Sequence, residues 1–265
     1  MQTDMDLETR PKLRKHERRE QILLELRLRP HVRISELSER FRVSTETVRR
    51  DLGKLSEDGL LDRAHGGASA LALGRYPTLD ERASARLEER ERIGRRAAYL
   101  VQPGETLMID SGSTTLQLAR FLAFDQTPCT VVTNSLPVAM ALGQSETVEV
   151  IVCPGDYLAS ESAVIGTDVI EFLGRHSVDR CFIGASGLWS GGPSETVRGF
   201  AAIKRMMLRQ SAVSHLLIDG KKFGRKGLAL VGQLADLTSI VCDRVPPEDL
   251  ARSLIEADVE VVLAR

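Results

Sequence analysis

Ile34–Ala68, ISELSERFRVSTETVRRDLGKLSEDGLLDRAHGGA, is the stretch from which the rest of the chain can be read. Leu37 and Phe41 stand four residues apart, the spacing of one buried helix face. Arg42-Val43 interrupts that pattern, and Ser44 follows, a residue whose hydroxyl accepts a free backbone N–H at a helix start. Val48, Leu52 and Leu55 then recur at i, i+4 and i+7, which gives a second helix its own apolar stripe. At about 100° per residue, with Val48 inward, Glu46, Arg49, Arg50 and Gly53 turn outward and Thr45 and Thr47 lie on the flanks. Two helices in this relation, the second offering short polar and arginine side chains from its first turns, suit entry into a major groove. Leu60-Leu61 and then Arg63-Ala64-His65-Gly66-Gly67 add a short strand and a tight turn, so the stretch predicts a winged helix-turn-helix.

Upstream, residues 16–28 place Ile22, Leu23 and Leu26 on one face, a first helix that stops before Pro30. Residues 1–15 read as a charged arm, and 16–68 as the DNA-binding domain. Downstream, residues 69–77 carry Gly and Pro and read as a linker. Thr78 and Glu81 have the spacing of a capping box, opening a charged helix that runs to about Val101.

From Pro103 the texture changes. Apolar runs recur at Leu107–Ile109, Thr130–Val132, Val148–Cys153, Cys181–Ile183, Leu216–Ile218, Ile240–Cys242 and Val259–Leu263. Helical stretches fall between many of them: Thr114–Leu122, Leu136–Leu142, Ala201–Arg209 and Pro247–Ala257. Short apolar strands alternating with helices predict a larger α/β domain over 78–265, built on a mostly parallel sheet.

A length of 265 residues accommodates two such domains, and 42% hydrophobic residues suffice for packed cores. The net charge of -1 looks poor for a partner of phosphates, but residues 1–67 hold 15 Lys/Arg against 13 Asp/Glu, so the remainder is the acidic part. With so modest an excess, affinity for DNA depends on where Arg14, Arg18, Arg19, Arg33, Arg42 and Arg49 point. Cys129, Cys153, Cys181 and Cys242 are far apart, with no CxxC and no Cys/His cluster, so buried reduced thiols are expected and no metal or cofactor. The polar, acidic MQTDMDLETR start is unlike a signal peptide, and no apolar run approaches about 18 residues. A cytoplasmic protein with no membrane partner is the expectation.

Open parallel sheets bind ligands beyond the carboxyl ends of their strands. Here the first strand is followed by Asp110-Ser111-Gly112-Ser113-Thr114-Thr115 and then a helix, whose free N–H groups favour an anion. The second ends at Thr133-Asn134-Ser135, and others at Pro154-Gly155, Gly184-Ala185-Ser186-Gly187 and Asp219-Gly220-Lys221-Lys222-Phe223. Hydroxyl loops for a phosphate, Lys222 for charge and a carboxylate for hydroxyls describe a phosphorylated sugar. Each loop alone is as well explained as a turn with a helix cap. Lys204, beside Arg205, is a solvated surface charge unless its helix faces the strand ends.

From residue 16 onward the chain resembles the DeoR family of bacterial transcriptional regulators. VSTETVRRDLGKLSEDGLLDRAHGGA, DSGSTT, VVTNS and DGKKFG carry the likeness. The resemblance implies an N-terminal domain that binds operators and a C-terminal domain, like sugar-phosphate isomerases in fold, that senses a phosphorylated metabolite. It implies a ligand loop at Asp110, Ser111, Gly112, Ser113, Thr114 and Thr115, joined by Asn134, Ser135, Gly155, Gly184, Gly187, Asp219, Lys222 and Phe223. Lys204 falls where members commonly have a lysine. The chain departs from the pattern in three places: Pro154-Gly155 stands for a Gly-Gly pair, Asp219-Gly220-Lys221 for a more hydroxyl-rich segment, and Gly199-Phe200-Ala201-Ala202 where acidic residues are frequent.

The resulting expectation is a repressor of a carbohydrate operon whose DNA affinity is set by a phosphorylated sugar or polyol. Arg33 and Ser44 are candidate phosphate contacts, and Thr45, Glu46, Thr47, Arg49 and Arg50 candidate base readers; His65 at the wing tip is either a phosphate or minor-groove contact or a plain turn residue, and the Glu46–Arg50 spacing also suits a pair within the helix. Asp51 is expected to pair with a neighbour. A homo-oligomer, dimer or tetramer, follows from half-site reading. Two alternatives compete with this reading: an isomerase-like enzyme using Asp110, Asp219, Lys204 and Lys222, and a DNA-binding oligomer with a vestigial pocket. No Glu or His marks an obvious strand end, which counts against the enzyme.

Overall fold

The computed structural model describes residues 14–28, 31–58, 61–64, 66–70 and 86–264. By internal contacts the chain divides into two compact units, Met1–Tyr76 and Pro77–Arg265. In the first, helices α1 (Lys15–Leu28), α2 (Ile34–Phe41) and α3 (Thr45–Glu57) join a small antiparallel sheet. Its strands β1 (His31–Arg33), β2 (Leu61–Ala64) and β3 (Gly67–Ala70) lie in the order β1-β3-β2. The apolar stripes meet as expected: Ile22 and Leu26, Leu37 and Phe41, and Val48, Leu52 and Leu55 form one core with Val32, Leu61 and Ala68.

The turn between α2 and α3 is built by local chemistry. Arg42 takes a left-handed conformation at φ 51°, and the Val43 N–H returns to the Ser38 carbonyl at 3.1 Å. Ser44 then caps α3, its Oγ accepting the Thr47 N–H at 3.2 Å. Gly67 is required where β3 meets β1, because a Cβ there would sit 2.0 Å from the Val32 carbonyl oxygen. The wing is longer than its sequence implied: Ser69 and Ala70, expected in the linker, pair with Asp62 and Leu61. Helix α1 likewise takes in Lys15, expected in the arm. His65, the arm through residue 13, residues 71–77 and the Thr78–Glu81 box lie outside the described residues.

The second unit holds a seven-stranded sheet. Its strands are β4 (Thr106–Ile109), β5 (Cys129–Thr133), β6 (Val148–Val152), β9 (Val178–Ile183), β12 (Ser211–Ile218), β14 (Ser239–Cys242) and β15 (Glu260–Leu263). All seven apolar runs are strands, and every pairing between them is parallel. Burial on both faces explains why the inner strands read as unbroken apolar runs, whereas the edge strands β6 and β15 are partly exposed. Alternation divides the side chains: Leu107, Ile109, Val131, Phe182, Leu217 and Val241 face one core, and Met108, Val132, Cys181, Ile183, Leu216 and Ile240 the other. Helices Leu87–Ala98, Ser113–Phe124 and Leu136–Leu142 cover the first face, and Thr167–Leu173, Arg198–Arg209 and Glu248–Glu256 the second. The four cysteines are buried free thiols, and desolvation pushes Cys129 up to about 11 and Cys153 and Cys242 to about 12.

Three short pairings complete this unit: β7 (Asp156–Leu158) with β8 (Ala163–Ile165), β10 (Gly187–Trp189) with β11 (Gly192–Glu195), and β11 with β13 (Ala229–Leu230). The main sheet runs β15-β14-β12-β9-β4-β5-β6. The chain winds from β4 toward β6, then returns to lay β9 on the other side of β4. The crevice between the ends of β4 and β9 is therefore the topological switch point, where an open parallel sheet receives its ligand. Among the described residues, no helix is long and apolar enough to cross a membrane.

Candidate functional sites

On α3 the outward face carries Glu46, Arg49 and Arg50, all more than half exposed. Glu46 pairs with Arg50 at 3.5 Å and with Arg49 at 3.7 Å, contacts long enough for a phosphate or a base edge to replace. Thr45 is exposed beside them, while the hydroxyls of Ser44 and Thr47 bond each other at 2.9 Å. Arg33 is exposed at the N-cap of α2. Two arginines point elsewhere. Asp51 is buried, and its carboxylate accepts from Arg18 at 2.6 Å and from Arg19 at 2.9 Å. Arg18 and Arg19 therefore tie α1 to α3, and neither is placed as a phosphate contact.

At the switch point, Asp110 follows β4 and Gly184 follows β9. Asp110 Oδ2 accepts the Gly184 N–H at 3.0 Å and pairs with Lys204 Nζ at 3.0 Å. The same ammonium donates to the Gly184 carbonyl at 3.0 Å and forms a close ion pair with Glu195. Ser186 Oγ donates to the other oxygen of Glu195. Burial opposes the charge on Lys204, but Asp110 and Glu195 outweigh it and hold the ammonium well above its ordinary range. Burial likewise opposes ionisation of Glu195, and Lys204 prevails there too, keeping the carboxyl below its usual range. Lys204 is thus no solvated surface charge. Its helix does face the strand ends, and the lysine is the counter-ion at their centre.

Glu195 was not legible. It ends β11, so the expectation that no Glu stands at a strand end is corrected. The hairpin strands β10 and β11 are only 3 and 4 residues long, too short to show a period, and SET reads as a polar turn.

Around this centre the remaining candidates divide by role. Thr115 Oγ1 donates to the Asp110 and Gly112 carbonyls at 3.0 Å, and Ser135 Oγ caps its helix by accepting the Val138 N–H at 3.3 Å. Gly187 lies against the Arg225 backbone, where a Cβ would come within 2.2 Å, and at Gly155, with φ 138°, a Cβ would come within 2.6 Å of the Ile165 carbonyl oxygen. These four shape the loops. Of these candidates, three carry a buried atom with no hydrogen-bond partner among the described residues: Asp110 Oδ1, Ser111 Oγ and Asn134 Oδ1. Asn134 is held by its amide, which donates to the Val164 carbonyl at 3.0 Å. Ser113 and Thr114 are buried in the first turn of a helix whose N-cap, Gly112, offers no side chain, so that turn keeps free N–H groups.

On the opposite flank, Asp219 and Lys222 follow β12. Lys222 Nζ donates to the Ala185 carbonyl at 2.7 Å, Phe223 is half-buried, and Asp219 accepts the Lys221 N–H at 2.8 Å. Arg86 reaches the second oxygen of Asp219 at 3.0 Å and also Asp243 at 3.1 Å. Neither Arg86 nor Asp243 was singled out in the sequence, because their partners lie more than a hundred residues away. Phe200 is buried in the apolar core, so that departure bears on packing.

Residues 18–72 match the DeoR-like helix-turn-helix domain, and residues 85–244 the DeoR C terminal sensor domain. The chain is 31% identical over 234 residues to the glycerol-3-phosphate regulon repressor of Escherichia coli, covering 88% of this chain and 92% of that one. It is 32% identical over 235 residues to the lactose phosphotransferase system repressor of Streptococcus mutans, covering 87% and 93%. Among solved structures, ribose 5-phosphate isomerase A of Methanocaldococcus jannaschii is similar at 16% identity and a TM-score of 0.38, over 51% of this chain and 53% of that one.

Proposed function

This chain belongs to the DeoR family of transcriptional regulators, and from that premise we propose that it represses a carbohydrate operon under control of a phosphorylated sugar or polyol. The observation that carries the ligand is the set of unpartnered buried oxygens of Asp110, Ser111 and Asn134 beside an uncapped helix start. A buried polar atom without a partner is costly, and a hydroxylated ligand supplies the missing bonds. The phosphate sits on the N–H groups of Ser113, Thr114 and Thr115, with Lys222 adding charge. Asp110 and Asn134 accept from sugar hydroxyls, and Gly184 and Asp219 border them. Two relatives bear names tied to glycerol-3-phosphate and to a sugar phosphotransferase system, in keeping with that chemistry.

The winged domain reads operator DNA through Thr45, Glu46, Thr47, Arg49 and Arg50, while Arg33, Ser44 and His65 meet phosphates. This domain takes in residues 15–70, and the sensor follows at 78–265. The protein works in the cytoplasm as a homo-oligomer on paired half-sites. We infer a regulator rather than an enzyme because the relatives that it matches over most of their length are repressors, and Lys204, held charged between two carboxylates, is no general base.

A thermal-shift panel of phosphorylated sugars and polyols tests this reading. One member should raise Tm in a concentration-dependent way in the wild type and fail to do so in Ser113→Asp, whose added carboxylate faces the phosphate. If no member shifts Tm at millimolar concentration, the sensing role is lost and the pocket is vestigial.

A further inference from the structure

Helix α3 carries a glycine in its interior, Gly53, where alanine is the better helix former. Its backbone is ordinary, since it is not among the residues with positive φ. At i, i+3, i+4 and i+7, Glu46, Arg49, Arg50 and Gly53 share one face of α3, the outward one.

The nearest neighbour of that position outside its own helix lies on the wing. Side chains two residues apart on a strand point to the same side, so Arg63 of β2 leaves the sheet on the side of Leu61. Leu61 is buried in the core against α3, while Arg63 is exposed. The Arg63 side chain runs past the edge of that core and over the helix, and a Cβ built on Gly53 would be 3.8 Å from its guanidinium. An alanine there would make an ordinary contact with the guanidinium, so the wing arginine lies directly on the helix surface at Gly53. Arg49 and Arg50 share Glu46, but Arg63 has no carboxylate within 4.0 Å among the described residues.

We propose that Arg63, laid across Gly53, is a ligand for a backbone phosphate of duplex DNA beside the groove that α3 enters. The proposal rests on the DNA-binding reading of α3. A phosphate fits better than a base edge. The guanidinium lies about one turn beyond Arg50, on the C-terminal half of the helix, whereas base contacts come from the first turns. Its planar fork also matches a phosphate's paired oxygens. In a domain of nearly balanced charge, each unpaired arginine adds measurably to the electrostatic part of binding.

The test uses the full-length chain and a duplex that the wild type enriches from a randomised pool, with a scrambled duplex as control. Affinity is read by fluorescence anisotropy between about 50 and 200 mM KCl. Arg63→Ala should weaken both duplexes by the same factor and lower the slope of log K against log salt by about 1. Arg63→Gln keeps the stem over Gly53 and removes the charge, so it should repeat that result even if the alanine variant folds poorly. Arg63→Lys should retain the slope. Gly53→Ala should bind as the wild type does, since 3.8 Å is an ordinary contact. An unchanged slope in both neutral variants, or a loss confined to the enriched duplex, overturns the proposal alone. Failure of the wild type to enrich any duplex overturns the DNA-reading assignment and the proposal together.

Discussion

The outward face of α3 and the strand-end pocket both set cations beside carboxylates, at opposite extremes of burial. On α3, Glu46 meets Arg49 and Arg50 at 3.7 and 3.5 Å in solvent, whereas Lys204 meets Asp110 at 3.0 Å with both side chains at most 5% exposed. Exposed helix pairs of this kind contribute about 0.3–0.5 kcal/mol, so DNA can displace them at little loss. A buried pair resists exchange, because removing either partner strands a charge at about 3–5 kcal/mol. The exposed ions of the first site can thus exchange partners at little cost, while Lys204, Asp110 and Glu195 at the second hold the strand-end loops in place.

The largest effect should come from Lys204. Lys204→Met leaves Asp110 and Glu195 facing each other without a counter-ion, and differential scanning calorimetry should show a loss of about 3–5 kcal/mol at neutral pH. The deficit should shrink on acidification, as Glu195 regains its proton. A loss below about 1 kcal/mol would erase the contrast between the sites.

Asp51 sharpens the comparison, because it is a buried ion group inside the DNA-reading unit. Asp51→Ala strands Arg18 and Arg19, and about 3 kcal/mol should be lost from that unit alone, with helicity at 222 nm falling at a lower urea concentration. If DNA binding weakened with no loss of stability, Asp51 would belong to the reading face after all.

His215 lies mid-strand in β12, with Nε2 beside Arg180 at 3.3 Å and Nδ1 against Ser239 Oγ at 2.8 Å. Burial first, then the Arg180 charge, lowers its pKa from 6.5 to about 4. The unfolded chain therefore binds the extra proton between pH 6.5 and 4, so stability is complete above 6.5 and falls as pH drops through that window, by about 3 kcal/mol. His215→Asn should flatten this part of the pH profile, and an unaltered profile would place the titration elsewhere.

The smallest change in stability belongs to α3. Glu46→Gln should shift stability by less than about 0.5 kcal/mol, yet it should tighten binding to unrelated duplexes by freeing Arg49 and Arg50. A matching loss of stability would make Glu46 a structural partner.

The same contrast governs what the sequence discloses. Local features were legible: Ser44 as a cap, the Val48, Leu52 and Leu55 stripe, and all seven strands of the sheet. Each depends on neighbours within a few positions, or on burial deep enough to make a whole run apolar. The pocket loops were legible as polar endings of those strands. The ion network was not, since Asp110, Glu195 and Lys204 come together through the return of β9 beside β4, and topology alone sets that meeting. The β7–β8 and β10–β11 hairpins were missed because strands of 3 or 4 residues carry no readable period.

Control of DNA binding from the pocket is tested most directly by one titration. Anisotropy of the enriched duplex with the full-length chain is measured with and without the phosphorylated sugar that raises Tm. A coupling of about 1–3 kcal/mol should change the DNA Kd about 5- to 150-fold in the wild type and leave it unchanged in Ser113→Asp. A sugar that binds and stabilises the protein yet leaves Kd the same in both would contradict the switch.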